Sequence, residues 1–274
     1  MQKQLFGVNA LGGARGLSTV EHIRLIKEAG WDAVFMDWRP QETNAAVNEA
    51  ARQGLAFTSI HGPFNHADTM WLPGEAGEAM TKQLLDCVDD CAHHAVPVMV
   101  LHAYFGFLDS YTPTETGLYN FGRVIEAADK KGVKLGFENV EGEPMLDAVM
   151  ARYADCPAVG YCYDTGHRMC YNRGRDFLAD YGDRLVHTHL NDNLGQRSEK
   201  ITWYDDLHLP LGDGAIDWKA VFDGIRKTGY AGPLCCELNY SNKPDCHELD
   251  HVLAMQMDEF YAYTLEKLRR ALAL

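Results

Sequence analysis

The sequence predicts an α/β chain folded as a single-domain (β/α)8 TIM barrel, and three observations predict it. Eight short apolar runs alternate with amphipathic stretches along 274 residues, the rhythm of repeated strand–helix units. No Pro/Gly-rich linker or break in charge divides the chain, so residues 1–274 are read as one domain. The last polar residues of the runs are Asn9, Asp37, His61, His102, Glu138, Asp164, His189 and Glu237. In a closed barrel these would meet at one mouth, whereas a doubly wound sheet would string them along an open edge.

The strands are expected at 5–9 (LFGVN), 33–37 (AVFMD), 56–61 (AFTSIH), 97–102 (PVMVLH), 134–138 (KLGFE), 159–164 (VGYCYD), 185–189 (LVHTH) and 233–237 (PLCCE). Their near-continuous apolar character suits parallel strands covered on both faces. Helices are expected at 18–29, 42–53, 76–94, 114–131, 144–153, 174–181, 217–228 and 247–270. The first opens on STVE, a capping-box pattern from Ser18 to Glu21, and stops before Gly30. PTET at 113–116 and GDGAIDW at 212–218 start later helices, and the KKG and KTG tripeptides end them.

Composition is that of a globular enzyme, 46% hydrophobic and 23% charged, with no apolar run of about 18 residues to suggest a membrane span. MQKQLFGVNALGG is too short and polar for a secretory signal, so a cytoplasmic location is the expectation. Net charge is −14, which disfavours nucleic acid without forbidding it, since bound cations would reverse the field locally. Eight cysteines in a chain of this length read as reduced, and Cys87 and Cys91, at i,i+4 on a helix, as packing residues. A homo-oligomer, most simply a dimer, is a base-rate expectation only.

The stretch GYCYDTGH, 160–167, carries the chemistry in miniature: β-formers run into Asp164, and His167 follows in the loop. Carboxylates and imidazoles gathered in one buried place are costly unless their charges and hydrogen bonds are satisfied, which a divalent cation does. Glu138, Asp164, His189 and Glu237 end four successive strands and offer three carboxylates and one imidazole. That set suits Zn²⁺ or Mn²⁺, with Co²⁺ or Mg²⁺ as other occupants. His61, His102, His167, Asp206 and His208 either extend the centre to two or three ions or hold substrate hydroxyls. Asn139, Asn191 and Asp192 are expected as turn formers or ligand contacts. Trp38, Phe64, Trp71, Tyr104, Phe105, Phe107 and Trp203 fall in or near the mouth loops, and Arg15, Arg39, Arg168, Arg173 and Arg197 are candidates to neutralise a phosphate. No G-x-G-x-x-G or G-x-x-x-x-G-K-[ST] is present in the sequence.

The motifs IHGPF (60–64), LH (101–102), FENVEGE (137–143), DTGH (164–167), HLNDN (189–193), DLHLPLGDGAIDW (206–218) and CELNY (236–240) resemble, over nearly the whole chain, the xylose isomerase-like TIM-barrel superfamily. That superfamily joins sugar isomerases and epimerases to the endonuclease IV family. The resemblance implies a metal-dependent isomerase or epimerase of a ketose sugar or sugar phosphate. Glu138, Asp164, His189 and Glu237 would be its metal tetrad, with Glu138 and Glu237 exchanging a carbon-bound proton through an enediolate and His167 holding substrate oxygens. It also implies a lesser alternative, an endonuclease IV-like zinc-dependent phosphodiester hydrolase in which His61, His102, Asp206 and His208 are the additional ligands of a trinuclear site that His167 and Glu237 also join. A non-catalytic sugar-binding barrel is the third reading.

Overall fold

The computed structural model describes residues 4–107 and 111–273. Eight parallel strands form the barrel: β1 Phe6–Asn9, β2 Ala33–Asp37, β3 Ala56–His61, β4 Val98–His102, β5 Lys134–Glu138, β6 Val159–Asp164, β7 Leu185–His189 and β8 Leu234–Cys236. They are ordered β7-β6-β5-β4-β3-β2-β1-β8. The two ends of that order meet: Leu190 bridges Cys236, its N–H donating to the Cys235 carbonyl at 2.8 Å, and the Glu237 N–H donates back to the Leu190 carbonyl at 3.1 Å. This closing seam delivers Glu237 beside His189.

The outer ring comprises α1 Thr19–Ala29, α2 Thr43–Gln53, α3 Glu75–His93, α4 Glu115–Lys131, α5 Glu143–Arg152, α6 Thr165–Cys170, α7 Phe177–Tyr181, α8 Trp218–Lys227, α9 Asp250–Leu253 and α10 Met257–Leu272. Ser18 and Glu21 form the expected capping box on α1, and the side chains of Thr114 and Asp217 cap α4 and α8. Two helices differ from expectation. The helix anticipated at 174–181 is shortened to α7, and α6 begins directly at the strand end because Asp164 caps it. Positive φ at Arg173 (51°) and Gly174 (77°) breaks the chain between the two. The helix anticipated at 247–270 divides into α9 and α10, where Gln256 and Glu259 make a fresh capping box.

Trp31, Trp71, Tyr161, Phe35 and Phe137 are fully buried in the core, each such burial contributing roughly 1.5–3 kcal/mol. Inside the barrel, Gly160 leaves room for a neighbour: a Cβ there would stand 2.5 Å from Val186 Cγ1. Space is thus taken up by interdigitation between strands, and the layer above is left to polar side chains.

Candidate metal centre

Glu138 lies at the centre of the mouth. Its Oε2 is 3.3 Å from His61 Nε2, 3.4 Å from His102 Nε2 and 3.2 Å from His189 Nδ1, while Oε1 is 3.2 Å from His167 Nδ1. Glu237 Oε2 is 3.2 Å from the same His189 nitrogen and 3.5 Å from His208 Nδ1. Asp206 Oδ1 stands 2.9 Å from His208 Nε2 and 3.5 Å from His167 Nε2, and Asp164 Oδ1 is 3.6 Å from His167 Nδ1. All nine sequence-predicted residues therefore converge. Among the overlapping sets that place one donor atom per residue within 4.8 Å of one another, three span the centre: His61–His102–Glu138, Glu138–Asp164–His189–Glu237, and Asp164–His167–His208.

Burial makes this gathering expensive. Glu138, Asp164 and His189 have no solvent exposure. Among the described residues, both Glu138 oxygens, both nitrogens of His102 and of His189, His167 Nδ1 and Asp206 Oδ1 lie close to one another but make no hydrogen bond of good geometry. Each orphaned polar atom costs about 1–3 kcal/mol, more when charged. A mixed carboxylate–imidazole donor set with its lone pairs aimed at a common space fits a divalent cation.

The electrostatics separate the acids. Burial would raise Glu138, yet the charge of His189 and the close imidazoles of His102 and His167 hold it well below the carboxylate range. Glu237 is likewise lowered to about 2, burial being outweighed by His189. Asp164 goes the other way: burial pushes it up to about 6. Burial lowers His102 to about 4, while His208 is raised to about 9 because Asp206 outweighs the cost of its burial.

The clamp around Asp164 answers why a strand of β-formers stops at a carboxylate. Oδ1 accepts the His167 N–H at 2.6 Å, capping α6, and Oδ2 accepts Asn191 Nδ2 at 2.8 Å. Asn139 grips the backbone on both sides: its Oδ1 accepts the Asp164 N–H at 2.9 Å and the Tyr161 hydroxyl at 2.6 Å, and its Nδ2 donates to the Asp164 carbonyl at 2.8 Å. Asn139 and Asn191 thus orient Asp164, and a Cβ at Gly166 would lie 1.9 Å from Asn191 Oδ1. The glycine of DTGH is required by this close approach. Asp192 folds the following loop, accepting from the N–H groups of Gly212 and Ile216 and from Trp218 Nε1.

Sequence reasoning passed over some participants. Glu141, three residues beyond Glu138 on the same mouth loop, is 5% exposed, accepts the Gly106 N–H at 2.7 Å, and is pushed by burial up to about 7. Its only sequence signal is a second acid within FENVEGE. Cys162, one inward position below Asp164 on β6, groups with Glu138 and His189. Phe35 stacks on His189 at 5.0 Å between ring centroids; Phe64, by contrast one of the aromatics expected near the mouth, stacks on His102 at 4.8 Å.

Other strand-end residues stand apart from the centre. Asn9 staples β1 to the end of β8 through the Leu238 N–H and carbonyl, and Asp37 is exposed. Trp71 is a packing residue, its indole donating to the Ala103 carbonyl, and Trp38 donates to Asp90. Trp203 is 45% and Phe107 36% exposed.

A closed parallel barrel with a buried carboxylate–imidazole cluster at the C-terminal ends of its strands defines a class in which the mouth, assembled from separate strand–helix units, holds the functional groups. The chain belongs to the xylose isomerase-like TIM-barrel family, whose model matches residues 23–259. Among curated relatives, an uncharacterised protein of Methanocaldococcus jannaschii, MJ1311, is 27% identical over 198 residues, 65% of this chain and 63% of that one. The inosose dehydratase of Lactiplantibacillus plantarum is 28% identical over 138 residues, 44% of each chain. The match therefore spans less than two thirds of the length of these relatives. The fold is shared with a solved D-psicose 3-epimerase of Clostridium cellulolyticum H10, TM-score 0.73 at 14% identity, covering 98% of this chain and 99% of that one. Among the described residues, no helix is long and apolar enough to cross a membrane.

Proposed function

We propose that the protein is a metal-dependent isomerase or epimerase of a ketose sugar or a substituted ketose. The observation that carries this reading is the tetrad Glu138–Asp164–His189–Glu237, four donor atoms within 4.8 Å at the barrel mouth, two of them on carboxylates suited to proton transfer. The kinship with sugar-modifying enzymes supports the same class. Glu138, Asp164, His189 and Glu237 would hold a divalent cation, Zn²⁺ or Mn²⁺ in the first instance. When bound, such a cation supplies Lewis-acid polarisation of the substrate carbonyl and stabilises negative charge on oxygen.

The chain's own residues divide the remaining work. Glu237 retains 15% side-chain exposure where Glu138 has none, so Glu237 is the carboxylate a substrate reaches first. Its Oε2 takes the proton from the carbon beside the carbonyl. Glu138, entering this step as the neutral acid, gives its proton to the opposite face in epimerisation or to the neighbouring carbon in isomerisation and ends as the carboxylate, leaving the substrate proton on Glu237 and exchange with solvent to reset the pair. His167, between Asp164 and Asp206, donates to substrate oxygens from its protonated form, which burial opposes but Asp164 and Asp206 sustain. The test is proton–deuterium exchange at the substrate carbon, followed across a ketose panel with the metal-loaded protein. Exchange should be present in the wild type and lost in Glu237→Gln; exchange that persists undiminished in both Glu138→Gln and Glu237→Gln rejects the assignment.

A second reading has its own observation. The tetrad shares Glu138 with the His61–His102 set and Asp164 with the His167–His208 set, a row of three donor groups suited to several ions and to phosphodiester hydrolysis. Net charge of −14 weighs against a DNA substrate. Incision of abasic DNA without carbon–proton exchange on any ketose would select this reading.

A further inference from the structure

The arginines expected to meet a phosphate are occupied or remote from a desolvated site. Arg168 donates to the carbonyls of Gly174 and Arg175. Arg197 pairs with Glu248 and donates to the Tyr204 carbonyl. Arg15 donates to the Tyr240 hydroxyl and the Met255 carbonyl, Arg39 stands 3.7 Å from Glu42, and Arg173 is exposed.

Lys243 differs from all of them. It lies on the loop after β8, half-buried, and its Nζ sits 4.6 Å from the ring centroid of Trp203. Among the described residues no carboxylate forms an ion pair with it. Trp203 precedes the candidate ligand Asp206 by three residues on the β7–α8 loop, and Lys243 feels the charge of Asp206 and, in the opposite sense, of Arg197. Burial pulls its ammonium below the usual lysine range, outweighing the nearby charge of Asp206 that opposes the shift.

The position matters because the cluster opens on this side. Asp206 and Glu237 are 19% and 15% exposed, whereas Glu138 and His189 are closed. Trp203 and Lys243 stand on the Asp206 side of this opening, Trp203 three residues before Asp206 in the chain and Lys243 within reach of its charge. Around so many carboxylates an anionic substituent would be repelled unless a fixed cation met it at the rim. The exposed faces of Trp203 and Tyr204 offer the apolar wall along which a carbon chain would lie.

We propose that Lys243, standing on Trp203, is the residue that recognises an anionic group, phosphate or carboxylate, carried by the substrate at the end remote from its carbonyl. This rests on the isomerase or epimerase reading for the identity of the substrate's other end.

The test is isothermal titration of the metal-loaded full chain with three hexoses matched except at one carbon: D-fructose, D-fructose 6-phosphate and D-fructuronate. The wild type should bind at least one anionic sugar about tenfold more tightly than fructose, the scale of one charge-assisted contact. In Lys243→Gln the ratio of anionic to neutral affinity should fall about tenfold, and Lys243→Arg should restore most of it. The sugar whose preference collapses identifies phosphate or carboxylate. A wild type that binds neither anion better than fructose overturns the proposal. So does an anionic preference kept in full by Lys243→Gln, which would place the anion on the metal centre instead. Collapse of the preference in a protein with no carbon–proton exchange would retain Lys243 and refute the isomerase or epimerase reading; exchange with no Lys243 effect would do the reverse.

Discussion

Glu138→Gln is the most informative single change, because Glu138 belongs to three of the five overlapping donor sets found among the described residues and touches four imidazoles. A ligand that binds only the folded state stabilises it by RT ln(1 + [L]/Kd), about 2.7 kcal/mol at a hundredfold excess over Kd. For 274 residues the unfolding entropy is about 0.6 kcal/mol/K, so the wild type should gain about 5 °C in Tm. Loss of a group that merely orients a ligand costs 10–100-fold in metal affinity, and loss of a direct ligand at least the upper end of that range. A hundredfold loss at the same metal concentration leaves about 0.4 kcal/mol and a shift below about 1 °C. The assay is differential scanning fluorimetry at buffered free Mn²⁺, which avoids the affinity of zinc for cysteines of the unfolded chain, together with elemental analysis of the loaded protein. Glu141→Gln, which removes an acid on the same loop outside those sets, should keep the full shift. A wild-type-sized shift in Glu138→Gln would refute the assignment of Glu138 as a shared ligand.

Three further predictions follow from the same geometry. Gly166→Ala drives a methyl into Asn191 and should cost about 1–3 kcal/mol in denaturant unfolding; because Asn191 holds Asp164, metal affinity should drop 10–100-fold as well. Asn139→Ala strands the Asp164 backbone groups and the Tyr161 hydroxyl and should cost about 2–4 kcal/mol by chemical denaturation; a change under about 0.5 kcal/mol would show the network to be dispensable. In the metal-free protein, Glu141 keeps its proton up to about 7 when folded but releases it near the ordinary 4.5 when unfolded, so stability should decline as pH rises between those values and level off above. Glu141→Gln should remove about 3 kcal/mol of that decline, read from unfolding curves at pH 4.5 and 8; identical pH slopes in the two proteins would refute it.

Much of the fold was legible because its signals are local. The eight strands were readable from apolar runs, and the Ser18, Thr114 and Asp217 starts from side chains that bond their own helix. The short α6 was missed because Asp164 does double duty, ending a strand and capping the next helix. The break before α10 was missed because Gln256 is a weak capping signal beside Ser or Asp.

For the candidate site, the polar ends of β3 through β7 and the Glu237 that follows β8 could be read directly, since a carboxylate or imidazole ending a buried strand demands an explanation. Asp206 and His208 lie in a long polar loop, and their approach to His167 depends on how that loop folds back, which Asp192 arranges by accepting hydrogen bonds from three later groups. Glu141 carried only the weak signal of a second acid within FENVEGE, and Lys243 no pattern that distinguishes it from a surface charge.

By itself the sequence determined the eight strands, the longer helices between them and which polar side chains stand at strand ends, because periodicity and capping act over a few residues of chain. The tertiary structure alone decided that four imidazoles enclose Glu138, that Asn139 and Asn191 clamp Asp164, and that Lys243 rests on Trp203. Those contacts join residues tens of positions apart, and their energies depend on distance and exclusion of water, neither of which exists until the barrel closes.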